Sequence, residues 1–137
     1  MKGAAWWAVL FLGAGYLVVG LVSGELAGHA ASHQVVVAWR WAAWIISAIA
    51  FGSHIVFEQV HVDSSPRITA LRVAMAAGIG AFGLAAAANI HALTSPSGKP
   101  SLLLALSLGI WLVLTALPAF FVALVAAILL PRARRFL

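Results

Sequence analysis

Polar side chains recur every seven residues through the second apolar run of this 137-residue sequence. They are His33, Arg40, Ser47, His54 and His61. On an α-helix this spacing keeps them close to one line, with a drift of about 20° per heptad. Glu58 lies one turn after His54 and joins the same face. Because ionisable groups at membrane depth usually face a bundle interior or a wet cavity, the pattern predicts a polar stripe across a membrane.

Histidine and glutamate on that stripe could bind and pass protons or hold a coupled cation, since histidine titrates near neutral pH. His54 is the deepest ionisable group in the run. We therefore interpret four residues as a candidate transport or proton site. They are Arg40, Ser47, His54 and Glu58.

The same segment also contains a Glu-x-x-His pair, Glu58 and His61, with His54 one turn before it. Carboxylate and imidazole ligands of this kind could hold a single zinc or copper ion. A di-iron bundle would need two such pairs and two further carboxylates. The chain has only three acidic residues, so the pattern allows at most a single transition-metal ion.

Haem ligation is a further possibility for the histidines. His54 and His91 would be separated by about 25 Å along the membrane normal, too far to share one haem. A bis-histidine haem b would have to use His91 together with His29 or His33, near the other end of the bundle, or pair His54 across two subunits.

Other chemistries find little support in the sequence. There is no cysteine, which excludes disulfides and thiol catalysis. Common nucleophile, nucleotide-binding and metalloprotease motifs are absent, so we favour a protein that is not an enzyme. The net charge is +5, but the basic residues are scattered at helix ends and do not form a stripe, so we predict no nucleic-acid binding.

Four long apolar runs must position these residues. They cover roughly residues 4–23, 35–57, 68–93 and 101–130, and each can cross a bilayer as a helix of about 20 residues. Hydrophobic residues make up 64% of the chain, charged residues 8%, and the mean hydropathy is +1.09. We therefore predict an all-α, polytopic membrane protein: a single domain of four transmembrane helices in a compact antiparallel bundle.

Basic residues in the connectors predict the orientation of the bundle. Six lie on one side, at positions 2, 67, 72, 132, 134 and 135, whereas Arg40 and Lys99 lie on the other. By the positive-inside rule, both termini are expected in the cytoplasm, and the protein is expected to be a multi-pass protein of the cell membrane.

Turn residues predict where the later helices begin and end. Asp63-Ser64-Ser65-Pro66 supplies a side-chain cap and then a proline at the first helical position. Residues 95–100 combine serine, glycine and proline, so an antiparallel hairpin is expected there. Pro118 is expected to kink the fourth helix near Thr115, unless the run is split.

The third run carries small residues at spacings of three and four, among them Ala74, Gly78, Ala81 and Ala85. In lipid such a face lets another helix approach closely, either within the monomer or across a homo-oligomer. It could also leave room for a flat ligand such as a porphyrin or quinone.

These features lead to two functional hypotheses. The first is an oligomeric transporter or proton- or ion-translocating protein that uses the stripe of the second helix, because four helices enclose a path poorly on their own. The second is a non-catalytic accessory subunit of a larger membrane complex, for example a respiratory one, that helps to hold haem or quinone. In a structural interpretation, Arg40 extends toward the headgroups, and Glu58 joins a headgroup-level cluster with His61, Asp63, Arg67 and Arg72.

Overall fold

Four α-helices make up the computed structural model, which describes residues 2–95 and 102–133. They are α1 (Lys2–Gly28), α2 (His33–Val60), α3 (Pro66–Thr94) and α4 (Leu102–Ala133). No strand occurs in these two ranges. All four helices are long and apolar enough to cross a membrane, which confirms the predicted all-α class and the four spans.

The helices extend beyond the apolar runs by up to five residues at an end. For example, α1 continues through Glu25 to Gly28, and α2 runs from His33 to Val60. At 1.5 Å per residue, α2 is about 42 Å long, compared with about 30 Å for the hydrocarbon core of a bilayer. Hydropathy marks only the most apolar part of each segment, whereas the helices also include polar residues at their ends.

A serine side chain caps the start of α2 but not the start of α3. At α2, the Val35 amide donates to the Ser32 hydroxyl over 3.4 Å, which is a normal N-cap. At α3, Pro66 occupies the first turn as predicted, but Ser65 makes no side-chain cap bond. The expected side-chain cap is therefore wrong at this helix. The Ser64 hydroxyl is instead used by Glu58.

Two other sequence expectations concern the last helix and its connector. The helix α4 is continuous through Pro118, so the run is not split there. Ser95 caps the C-terminal end of α3, and the remainder of the predicted turn, including Lys99, lies outside the described residues. Arg134 and Arg135 also lie outside them, and the predicted cytoplasmic orientation stays a prediction.

The central helix of the bundle is α3, which packs against both α1 and α4. The helix α2 packs mainly on α1 and meets α3 and α4 over a narrower contact. That contact contains a small buried cluster of Ile55, Ala70, Val73, Ala123 and Ala127. No residue in the most apolar window of α2 is buried, so α2 is the peripheral helix of this chain.

Small residues of α3 allow close contact with two neighbouring helices, α1 and α4. Toward α4, a side chain at Gly78 would lie 2.9 Å from Leu112 Cδ1. Toward α1, side chains at Gly80 and Gly83 would meet Tyr16 and Leu17. Of the predicted packing residues, Ala74, Gly78 and Ala85 are buried and Ala81 is half-buried. The predicted close packing is therefore found within the monomer.

The closest approach is between α1 and α3, and both helices contribute a glycine to it. A Cβ atom at Gly80 would lie 2.5 Å from Tyr16 Cβ and 3.3 Å from the Gly13 carbonyl oxygen. A Cβ atom at Gly13 would lie 2.9 Å from Ile79 Cβ. Because these neighbours are near or part of the backbone, they cannot move aside as the end of a flexible side chain could.

We predict that Gly80→Ala separates α1 from α3 and lowers the free energy of unfolding by about 1–3 kcal/mol, the usual cost of overpacking. The measurement is unfolding in mixed micelles at increasing fractions of denaturing detergent. Gly15→Ala is the matched control, because a side chain at Gly15 meets nothing within 4 Å. Equal stability of the two variants would contradict the proposed close packing.

Candidate functional site

The most polar buried region lies where α2 ends and α3 begins. Residues 61–65 connect the two antiparallel helices. Glu58 lies two residues before the end of α2, and Arg72 lies six residues after the start of α3. A short connector therefore brings them to a similar height, and α1 begins at the same end of the bundle.

Glu58 is fully buried, and its Oε2 atom accepts two hydrogen bonds. The Arg72 Nη1 atom donates to it over 2.8 Å, and the Ser64 hydroxyl donates over 2.8 Å. Arg72 Nη1 also donates to the Ser64 hydroxyl oxygen over 3.1 Å. The three side chains form a closed triangle in which every hydrogen bond involves an ionised group, and such bonds are stronger than neutral ones.

The connector is held to the same helix ends by a second set of contacts. The Gln59 amide nitrogen donates to the Ser64 carbonyl over 3.0 Å and to the buried Thr69 hydroxyl over 2.8 Å. Asp63 has a φ of 52°, a left-handed conformation that aspartate tolerates better than most residues. The turn is therefore shaped to place Ser64 over the carboxylate.

His54 lies one turn before Glu58 and is 1% exposed. Its Nε2 atom is 3.8 Å from Glu58 Oε1, which is too long for a hydrogen bond. Both ring nitrogens of His54 and the Oε1 atom of Glu58 are buried without a hydrogen-bond partner. Buried polar atoms are nearly always paired in proteins, so this unpaired group calls for a chemical explanation.

Charge within the site is balanced. The carboxylate of Glu58 is compensated by Arg72, which is 12% exposed. The Arg72 guanidinium also lies 5.8 Å from the centre of the Trp6 ring of α1, a cation–π geometry. With a neutral His54 the cluster has no net charge. It can therefore accept one proton at the unpaired His54 ring without removing the carboxylate charge that holds the bonds on Oε2.

The other predicted members of the transport site lie apart from this cluster. Arg40 is exposed and Ser47 is half-buried. Arg40 precedes Glu58 by 18 residues, which corresponds to about 27 Å along the helix. The structure therefore brings His54 and Glu58 together and leaves the rest of the stripe on a face of α2 that this chain covers poorly.

The predicted metal ligands are only partly brought together. His61 is exposed and stacks on Phe57, with ring centres 5.4 Å apart. Among the described residues, no three histidine, aspartate or glutamate side chains are placed to hold a metal ion. The geometry thus gives no support to the His54, Glu58 and His61 site, although two of the three residues are neighbours.

The histidines predicted for haem within one chain, His29, His33 and His91, are all exposed. His29 directly follows α1 and contacts its last turn, since its ring nitrogen lies 3.0 Å from the Glu25 carbonyl oxygen and 3.4 Å from the Glu25 carboxylate. His33 begins α2, and His91 lies in the last turn of α3.

The sequence interpretation missed the role of Ser64. Its structural alternative put Arg72 in a cluster with Glu58, and these two residues do pair. It also placed His61, Asp63 and Arg67 there, but those three residues are exposed. The available signal was the position of Ser64 and Arg72 relative to the connector. Residues near the two ends of a short antiparallel connector face each other. Thr69 and Arg72 also lie three residues apart on one face of α3.

No protein-family model matches this chain, and no match was found among curated proteins or solved structures. What the site can do is argued from its own atoms. A fixed carboxylate with one saturated and one free oxygen, next to a buried imidazole, is suited to receive and release a proton. The arrangement also holds α2 and α3 together at one end of the bundle.

We predict that Glu58→Gln lowers the free energy of unfolding by about 2–4 kcal/mol, because it leaves the Arg72 charge buried without a counter-charge. The double variant Glu58→Gln with Arg72→Gln should lose less than the sum of the single losses. We expect an interaction energy of about 1–3 kcal/mol. The measurement is a double-mutant cycle in mixed micelles.

Arg67→Gln is the control for this cycle, because Arg67 is an exposed arginine on the same helix. It should change the stability by no more than about 0.5 kcal/mol. Additive effects of the Glu58 and Arg72 substitutions would show that the two side chains do not depend on each other.

Proposed function

We propose that this protein moves protons, or a solute coupled to protons, across the membrane, with His54 and Glu58 as the proton-binding pair. The observation that supports it is the buried gap of 3.8 Å between His54 Nε2 and Glu58 Oε1, which is flanked by nitrogens without partners. A purely structural ion pair would need only Glu58, Arg72 and Ser64. The buried His54 is then left unexplained, whereas a proton site requires it.

Proton binding would act through the geometry of this gap. A proton on His54 makes the ring a cationic donor to the free carboxylate oxygen, and a small movement of the ring shortens the 3.8 Å separation to hydrogen-bond length. The protonated cluster then has a net positive charge at the edge of a medium of low dielectric constant. That charge favours release of the proton, so the pair would hold it only transiently.

A path across the membrane needs more than this chain. Ser47 and Arg40 continue the polar stripe away from His54, but they lie on the poorly covered face of α2. A second copy packed against that face would enclose the stripe. We therefore propose a homo-oligomer in which α2 lies at the interface. Arg40 and Ser47 would lie along the path, and His54 and Glu58 would lie at the end of the bundle where α1 begins.

The same poorly covered α2 supports an alternative, an accessory subunit of a larger membrane complex. Trp39, Trp41 and Trp44 are exposed along it, and such aromatic side chains can contact either lipid or another protein. In that arrangement a partner helix covers α2, and His29, His33 or His91 could join ligands of the partner around haem or quinone. Instability of the isolated chain, reversed by a co-purified partner, would favour this alternative.

We predict that the purified protein, reconstituted in liposomes with a trapped pH-sensitive dye, carries a proton flux when a potential is imposed. His54→Gln should lower this flux by about tenfold or more, because it removes the titratable ring from the pair. Its stability should stay near that of the wild type, because the His54 ring has no hydrogen bond to lose.

The matched control is His61→Gln, since His61 is an exposed histidine on the same stripe, and its flux should be unchanged. Flux that survives His54→Gln in a folded protein would refute the proton site. Absence of flux in the wild-type protein would direct attention to the accessory-subunit alternative.

A further inference from the structure

An apolar groove lies on the surface between α3 and α4. Its volume is about 570 Å³, within the range of about 300–1,000 Å³ that is typical of ligand pockets. On α3 its rim includes Leu71, Met75 and Phe82, and on α4 it includes Leu112 and Phe120. All lining side chains are hydrocarbon or thioether groups, so an occupant would have to be apolar along the whole groove.

The depth of the groove comes from small residues at its floor. Ala74, Gly78 and Ala116 lie between the larger side chains of the rim. Gly78 and Ala116 are close across the helix contact, since a Cβ atom at Gly78 would lie 3.5 Å from the Ala116 Cβ atom. The two helices therefore close the floor, and the groove opens only outward, toward the medium that surrounds the bundle.

The groove has the length and position of one lipid leaflet. It extends along α3 from Leu71 to Phe82, which is about 17 Å at the rise of an α-helix. Half of the hydrocarbon core of a bilayer is about 15 Å. The groove begins one turn into α3 and ends just past the middle of the helix Pro66–Thr94. It thus faces the leaflet on the side of the membrane where α1 begins.

A basic side chain stands at the polar end of the groove. Arg67 is exposed and lies four residues before Leu71, which places both residues on the same face of α3. Side chains on a helix lean toward its N-terminal end, so the guanidinium extends toward the headgroup level. Arg67 has no acidic partner among the described residues.

We propose that this groove binds one acyl chain of an anionic phospholipid from that leaflet, with the lipid phosphate paired to Arg67. Moving an acyl chain from bulk lipid into the groove gains no hydrophobic free energy, so the preference must come from packing and charge. Arginine matches a phosphate with two parallel hydrogen bonds. This inference does not depend on proton movement and stands apart from the function proposed above.

The test uses the full chain in phosphatidylcholine vesicles that contain a small fraction of phosphatidylglycerol with a photoreactive diazirine on its acyl chain. After irradiation, the labelled residues are mapped by mass spectrometry. We expect labels on the groove segments, residues 71–82 and 112–120. A phosphatidylcholine probe with the same acyl chain should label them about fivefold less, the ratio that corresponds to about 1 kcal/mol for one basic residue at the surface.

Three variants test where the headgroup and the acyl chain of the lipid bind. Arg67→Gln should lower the labelling by phosphatidylglycerol to the level of the phosphatidylcholine probe. Arg40→Gln, at an exposed arginine of the other membrane side, should leave it unchanged. Ala116→Leu, which fills the floor of the groove, should lower the labelling by both probes, and thermal unfolding of each variant checks that it is folded.

Equal labelling by the two probes, or labelling that is unaffected by Arg67→Gln, would overturn the proposal for an anionic lipid. A groove that stays unlabelled while crosslinks join two copies of the chain through α3 and α4 would also overturn it, because the occupant would then be a second protein molecule.

Discussion

A buried carboxylate determines how one end of this bundle is built. Glu58 is 0% exposed, and an ionised carboxyl group without water must receive donors and a counter-charge from the protein. Arg72 supplies the charge and one hydrogen bond, and Ser64 supplies the other. These requirements account for the position of Ser64 next to the carboxylate, and the left-handed residue Asp63 helps to place it there. The cost of the unusual turn is offset by the stabilised charge.

Helix contacts in the rest of the bundle follow from the absence of a hydrophobic driving force in lipid. Helices then associate through close packing and a few polar contacts. The helix α3 provides both: its glycines contact α1 and α4, and Asn89 donates to the Ser107 hydroxyl of α4 over 3.0 Å. Since α3 packs against α1 and α4, α2 is left to pack mainly on α1, with a narrow contact to α3 and α4 near Ile55. The functional candidates lie on this peripheral helix.

The parts of the structure that depend on hydropathy could be predicted from the sequence, because length and apolarity alone decide that a segment crosses a membrane. The four helices were of this kind, whereas the start of α3 at Pro66 was predicted from its turn residues and proline. Contacts between helices were harder, because they depend on which faces meet. The spacing of polar residues along α2 correctly placed Glu58 next to His54. It could not show that His54 is buried and Arg40 exposed, because burial depends on where α3 and α4 contact α2.

The two oxygens of Glu58 have different surroundings. This difference distinguishes a purely structural ion pair from a site that could also bind a proton. Oε2 already receives Arg72 and Ser64, and these bonds connect the helices. Oε1 lies 3.8 Å from the Nε2 atom of His54, a distance that leaves both atoms without a hydrogen bond. A bundle that needed only stability would gain from an apolar residue in place of His54, because unpaired buried polar atoms cost free energy. The histidine at this position is therefore the basis of the proton binding that we propose.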